Sequence, residues 1–264
     1  MKELELLDAS RNGNFDIVMS LLESGVDVNA VNNSGGSVLH EACFGGHIKV
    51  VAALLESGAD VDAVNNGGYT SFHTACMFGY LDVSSLLLSH GADINFVCSR
   101  RNCNTILETA CLLSKKHIVE FLLNNGADVS VSVKGKTRSL CFACIGNDFD
   151  TIRLLVNKGA VLVDPTVSWK DKERRTTLSY VCRSNNTKVM GLLLELGVDI
   201  NIKDEIGATP LFYAYRNGLI GLFRFLLENG ADINVIKGIP ITKERYKGFL
   251  GHVQVSKLLT DLAA

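Results

Sequence analysis

Eight cysteines and six histidines carry most of the chain's capacity for nucleophilic or metal chemistry. Five of the cysteines, Cys43, Cys76, Cys111, Cys144 and Cys182, recur at intervals of 33, 35, 33 and 38 residues. His40 precedes Cys43 by three residues, and His73 precedes Cys76 by the same step. A thiol and an imidazole one helical turn apart could serve as nucleophile and base. That chemistry needs a third group to orient the imidazole, and no neighbouring residue is evidently placed to do so. A structural zinc, with Zn–S near 2.3 Å, needs its sulfurs within about 4 Å of one another. Packed helices that each supply one cysteine lie about 8–10 Å apart. The column therefore reads as core, filled by a small and readily buried side chain.

Cys98 and Cys103 stand apart, because they flank Ser99-Arg100-Arg101-Asn102. Two arginines favour a thiolate, so this pair reads either as redox-sensitive or as two incidental loop thiols. Two further ligands that would make it a zinc site are not evident. The chain has no phosphate-binding loop, no dinucleotide fingerprint and no metal-spaced His/Glu pair. The expectation is a protein with no catalytic residues, no metal and no cofactor.

The spacing of the cysteines belongs to a longer rhythm. Gly25-Val26-Asp27-Val28-Asn29 returns with variations at Gly58, Gly91, Gly126, Gly159, Gly197 and Gly230, in steps of 33, 33, 35, 33, 38 and 33 residues. A fixed period of this length means stacked supersecondary units, each burying its apolar face on its neighbours. One unit shows the logic. Asn65-Asn66-Gly67-Gly68 is turn chemistry. Thr70 is a helix N-cap, Ser71 to Phe78 a short helix, and Gly79 its end. Leu81 to His90 reads as a second helix, with Val83, Leu86 and Leu87 at helical spacing. Gly91 supplies the left-handed residue that closes it.

The blocks that open the first helices carry a family likeness. Ser37-Val38-Leu39-His40-Glu41-Ala42, Thr70-Ser71-Phe72-His73-Thr74-Ala75, Thr105-Ile106-Leu107-Glu108-Thr109-Ala110 and Thr209-Pro210-Leu211-Phe212-Tyr213-Ala214 resemble the TPLHxA motif of ankyrin repeats. Arg138-Ser139-Leu140-Cys141-Phe142-Ala143 and Thr176-Thr177-Leu178-Ser179-Tyr180-Val181 are weaker copies. The motif departs from the family in most copies: only Pro210 keeps the proline, and only His40 and His73 keep the histidine. The resemblance implies an all-α solenoid of seven to eight helix-turn-helix units with short β-hairpin fingers. It also implies that the histidines bond to neighbouring turns, and that Asn29, Asn95, Asn201 and Asn234 stabilise turns or act as hydroxylation substrates. The units fall at 1–31 (an N-terminal cap), 32–64, 65–97, 98–131, 132–163, 164–202 and 203–235, with a degenerate C-terminal cap at 236–264. In the first cap, Leu4, Leu6, Leu7 and Ala9 are expected to pack inward.

The bulk composition suits this reading. Apolar residues make up 47% and charged residues 20%, and the net charge is −2, so no global field draws the chain to nucleic acid or membrane. Met1-Lys2-Glu3-Leu4-Glu5 lacks the layout of an export signal, and free thiols suit a reducing cytosol or nucleus. A monomer without membrane insertion is expected.

Proteins that resemble this family recognise partners on a concave face, with the finger tips and the residues that follow the small pair of the first helix. Those positions hold Phe44, Tyr69, Met77, Phe78, Leu112, Leu113, Arg183 and Arg216. Two fingers are lengthened, by two residues between Phe96 and Asn104 and by five between Asp164 and Arg175. The longer one carries the only tryptophan, Trp169, and Trp and Arg are enriched in binding hot spots. Residues 98–105 (Arg100, Arg101), 131–138 (Lys134, Lys136, Arg138) and 164–175 have net charges of +2, +3 and +1. A basic stripe beside an apolar groove suits an acidic, partly apolar protein segment. The expected role is an adaptor, scaffold or inhibitor. The alternatives are a repeat region that tethers an effector in a larger regulatory protein, and nucleic-acid binding through the basic fingers.

Overall fold

The computed structural model describes residues 1–97, 104–131, 138–160, 178, 181–182, 184–204 and 207–236. It forms two compact units, Met1–Gly135 and Lys136–Ala264. Among the described residues there are 13 α-helices, no strand and one isolated bridge, Val31 to Ser37. None of these helices is long and apolar enough to cross a membrane.

The first unit holds four helical hairpins. First helices are α1 (Lys2–Asn12), α3 (Val38–Gly45), α5 (Ser71–Phe78) and α7 (Ile106–Leu112). Second helices are α2 (Phe15–Glu23), α4 (Ile48–Glu56), α6 (Leu81–Ser89) and α8 (Lys116–Asn124). Successive first helices pack on one another from α1 to α7, and α2, α4 and α6 form a parallel row. Seven to eleven residues are too few for a helix to persist alone in water, so stacking supplies the stability. The third residue of each second helix records this. Val50, Val83 and Ile118 are at most 2% exposed, whereas Ile17, which no earlier helix row covers, keeps 43% of its surface.

Three of these first helices, α3, α5 and α7, start on a capping box. Ser37 and Thr70 accept the His40 and His73 N–H groups, and those imidazoles accept the cap N–H in return. Glu108 takes the same place under Thr105, because a carboxylate oxygen accepts that N–H as well as an imidazole nitrogen does. The helices end on left-handed residues, and the next unit uses the space over those glycines. A β-carbon on Gly13 would meet the His47 ring, one on Gly46 the Tyr80 ring, and one on Gly79 the His117 ring.

The fingers at 32–37 and 65–70 are turns rather than ladders. Asn32 Oδ1 accepts the N–H groups of Ser34 and Gly36, and Asn65 Oδ1 those of Gly67 and Tyr69. One side-chain carbonyl thus does locally what a strand pairing would do. Leu6, Leu7 and Ala9 are buried as expected, but Leu4 is 64% exposed. It sits in the first turn of α1, where no residue covers it, so the expectation that it packs inward fails.

The second unit contains α9 (Ser139–Gly146), α10 (Phe149–Asn157), α11 (Thr187–Glu195), α12 (Pro210–Arg216), α13 (Ile220–Glu228) and a 3₁₀ turn, Ile233–Ile236. Pro210 occupies the first turn of α12, where its missing N–H does no harm. Thr209 caps that helix, and Asp204 ties the finger to it by accepting the Tyr213 hydroxyl at 2.5 Å. In the first unit Asn32 and Glu41 make the equivalent tie at 2.7 Å.

Candidate protein-interaction surface

The cysteine column is interior. Cys43, Cys76, Cys111, Cys144 and Cys182 are buried, as is Cys141. Burial raises the thiol pKa of Cys76 and Cys141 to about 12, and those of Cys43, Cys144 and Cys182 further. A thiol held protonated in this way is no nucleophile at neutral pH. Among the described residues no group of three His, Cys, Asp or Glu side chains converges as a metal site would.

The histidines are committed to the scaffold. His40 Nδ1 accepts the Ser37 N–H at 3.2 Å, which leaves the proton on Nε2 for donation to the Tyr69 carbonyl at 2.9 Å. Burial depresses its pKa and stabilises the neutral ring that this pairing requires. His73 makes the same cap with Thr70. Its Nε2 lies in the field of the Asn104 carbonyl without completing a good hydrogen bond, and burial pushes its pKa down to about 4. Neither ring is placed as a base.

The side chains left at the surface of the first unit form an aromatic ridge. Phe44 and Phe78 follow the small pairs Ala42-Cys43 and Ala75-Cys76. Their rings meet edge to face at 4.8 Å, and Phe78 stacks on Tyr80 at 6.1 Å. Arg11 lies 4.3 Å over the Phe44 ring and pairs with Glu41 at 3.2 Å. Despite these contacts Phe44 and Phe78 stay 40% and 41% exposed, and Leu112 and Leu113 each 42%. These side chains lie at the C-terminal ends of α3, α5 and α7, because the residues after each small pair turn away from the buried helix contact.

The remaining expected residues divide. Met77 and Tyr69 are half-buried, and Tyr69 packs its ring on His73 at 5.6 Å, so it supports the fold as well as the surface. Arg216 is half-buried at the end of α12 in the second unit. Arg100, Arg101, Lys134, Lys136, Trp169 and Arg183, with Cys98 and Cys103, lie outside the described residues, as does the C-terminal cap beyond residue 236. Sequence reasoning missed Arg11, although it stands 33 residues before Phe44 and so one period up the same column.

A family model described as ankyrin repeats (3 copies) matches residues 6–98 and 140–237. No curated protein matches this chain significantly. Among solved structures, the crystal structure of the human ASB11 ankyrin repeat domain is similar, with 25% identity and a TM-score of 0.68. The likeness covers 86% of this chain and 98% of that one. Hairpin units, capping boxes and repeat-by-repeat burial agree with both matches: the chain belongs to the ankyrin-repeat family.

Proposed function

We propose that this chain is a non-catalytic recognition module that binds an acidic, partly apolar protein segment on the first-helix side of its repeats. Ankyrin repeats generally serve protein–protein interaction. The observation that carries the reading is the exposed Phe44–Phe78 pair with Arg11 over it. Soluble proteins seldom leave contiguous aromatic surface bare without a use; Arg11 is already paired with Glu41, so the preference for a carboxylate rests on the basic finger residues. The basic residues Arg100, Arg101, Lys134 and Lys136, with Arg183 and Trp169, extend this reading by their positions in the sequence. The buried thiols of Cys43, Cys76, Cys144 and Cys182 suit a protein acting in a reducing compartment.

A selection of random peptides displayed against the immobilised chain tests the reading. Enriched peptides should combine an aromatic residue with Asp or Glu. The Phe44→Ala/Phe78→Ala variant should bind them at least tenfold more weakly while keeping its helical circular dichroism. Enrichment of basic peptides, or unchanged binding by that variant, overturns it.

A further inference from the structure

A second surface lies on the other helix row, in the second unit. The fifth residue of every second helix faces outward. Along the chain this column reads Met19, Ala52, Ser85, Glu120, Arg153, Gly191 and Arg224. Gly191 is the single glycine in it, in the middle of a nine-residue helix, where glycine is destabilising relative to alanine. It has no conformational reason to be there: it is absent from the positive-φ glycines, so any residue fits its backbone. What it provides is room. A β-carbon added at Gly191 would meet only the tip of the Phe225 ring, at 3.6 Å.

That room forms a groove of about 470 Å³ between Phe149 of α10 and Phe225 of α13, floored by Gly191 of α11. Charge is graded along it. Glu195, at the C-terminal end of α11, is held by Arg153 at 3.1 Å. Lys188, one turn before Gly191, has no ion-pair partner among the described residues. The groove thus offers two aromatic walls, an open floor and one uncompensated cation at one end.

We infer that this groove on the second helices of the second unit binds a short peptide segment in which a bulky apolar side chain adjoins a carboxylate. The apolar side chain lies on Gly191 between the two phenylalanines, and the carboxylate pairs with Lys188. A basic peptide gains nothing there, because Glu195 is already neutralised by Arg153. The site uses neither Phe44 nor Phe78 and is independent of the reading above.

The probe is acetyl-Asp-Trp-amide, titrated into the ¹⁵N-labelled chain, with acetyl-Lys-Trp-amide as its charge-reversed partner. The acidic dipeptide should shift the Lys188, Gly191 and Leu192 amides and saturate at millimolar concentration, at least fivefold more tightly than the basic one. Gly191→Leu fills the floor with a better helix former and should abolish the response. Lys188→Glu should reverse the preference between the two dipeptides. The Phe44→Ala/Phe78→Ala variant should respond as the unmodified chain does. Absence of shifts at Gly191, equal response to both dipeptides, or unchanged binding by Gly191→Leu would overturn the inference.

Discussion

The side-chain oxygen of Asn29 accepts the backbone N–H of Asp60 at 2.8 Å, one unit further along the chain. The relationship repeats. Asn95 receives the Asp128 N–H at 2.9 Å and Asn201 the Asp232 N–H at 2.8 Å, while Asp62 receives the Asp93 N–H at 3.2 Å. These exposed side chains tie successive turns together. Asn95→Ala should therefore lower stability by about 1 kcal/mol, the net worth of one hydrogen bond. Urea unfolding of the variant checks this, and Asp62→Asn should leave the midpoint nearly unchanged, because the amide keeps the acceptor.

Gly46 and Gly58 both have positive φ, at 72° and 87°, so any side chain at either is strained. Only Gly46 is covered, by Tyr80 ring atoms 2.8 Å from where its β-carbon would sit. Gly46→Ala should cost about 1–3 kcal/mol more than Gly58→Ala, since the ring must shift as well. Thermal unfolding of the two variants isolates the packing part of the glycine requirement.

The low pKa of His73 makes stability pH-dependent. Its folded pKa is about 4 against a reference of 6.5, so between these values the unfolded chain binds more protons. Stability is complete above pH 6.5 and falls as pH drops toward 4. The shift corresponds to roughly 3 kcal/mol. Unfolding free energies measured from pH 7 to pH 4 should decline, and His73→Gln should decline less steeply over that window.

Thiol accessibility distinguishes core from surface. All six cysteines among the described residues are buried. A thiol-specific reagent at neutral pH should titrate no more than two thiols in the native protein and all eight in denaturant. Rapid native modification of Cys76 or Cys144, read by mass spectrometry, would contradict the burial that raises their pKa.

Much of the fold was legible because a repeat states the same constraint several times. The glycine period, the Thr70 cap and the Ser71 to Phe78 helix each follow from local chemistry: a hydroxyl that accepts an orphan N–H, and glycine where φ must be positive. The cysteine column was legible for a related reason, since a residue fixed once per unit is fixed by packing. Leu4 was misjudged because pattern alone gives a helix an apolar face without saying whether a neighbour covers it.

The amino-acid sequence by itself determined the period, the caps, the interior character of the thiols and the family resemblance, because these depend on residues near one another in the chain. Only the tertiary structure decided that Arg11 lies over Phe44, that Tyr80 fills the space above Gly46, and that Gly191 opens a groove between Phe149 and Phe225. Those relationships join residues 33 to 76 positions apart. Side chains of different units meet there at distances that only the packing of one helix row on the next can set.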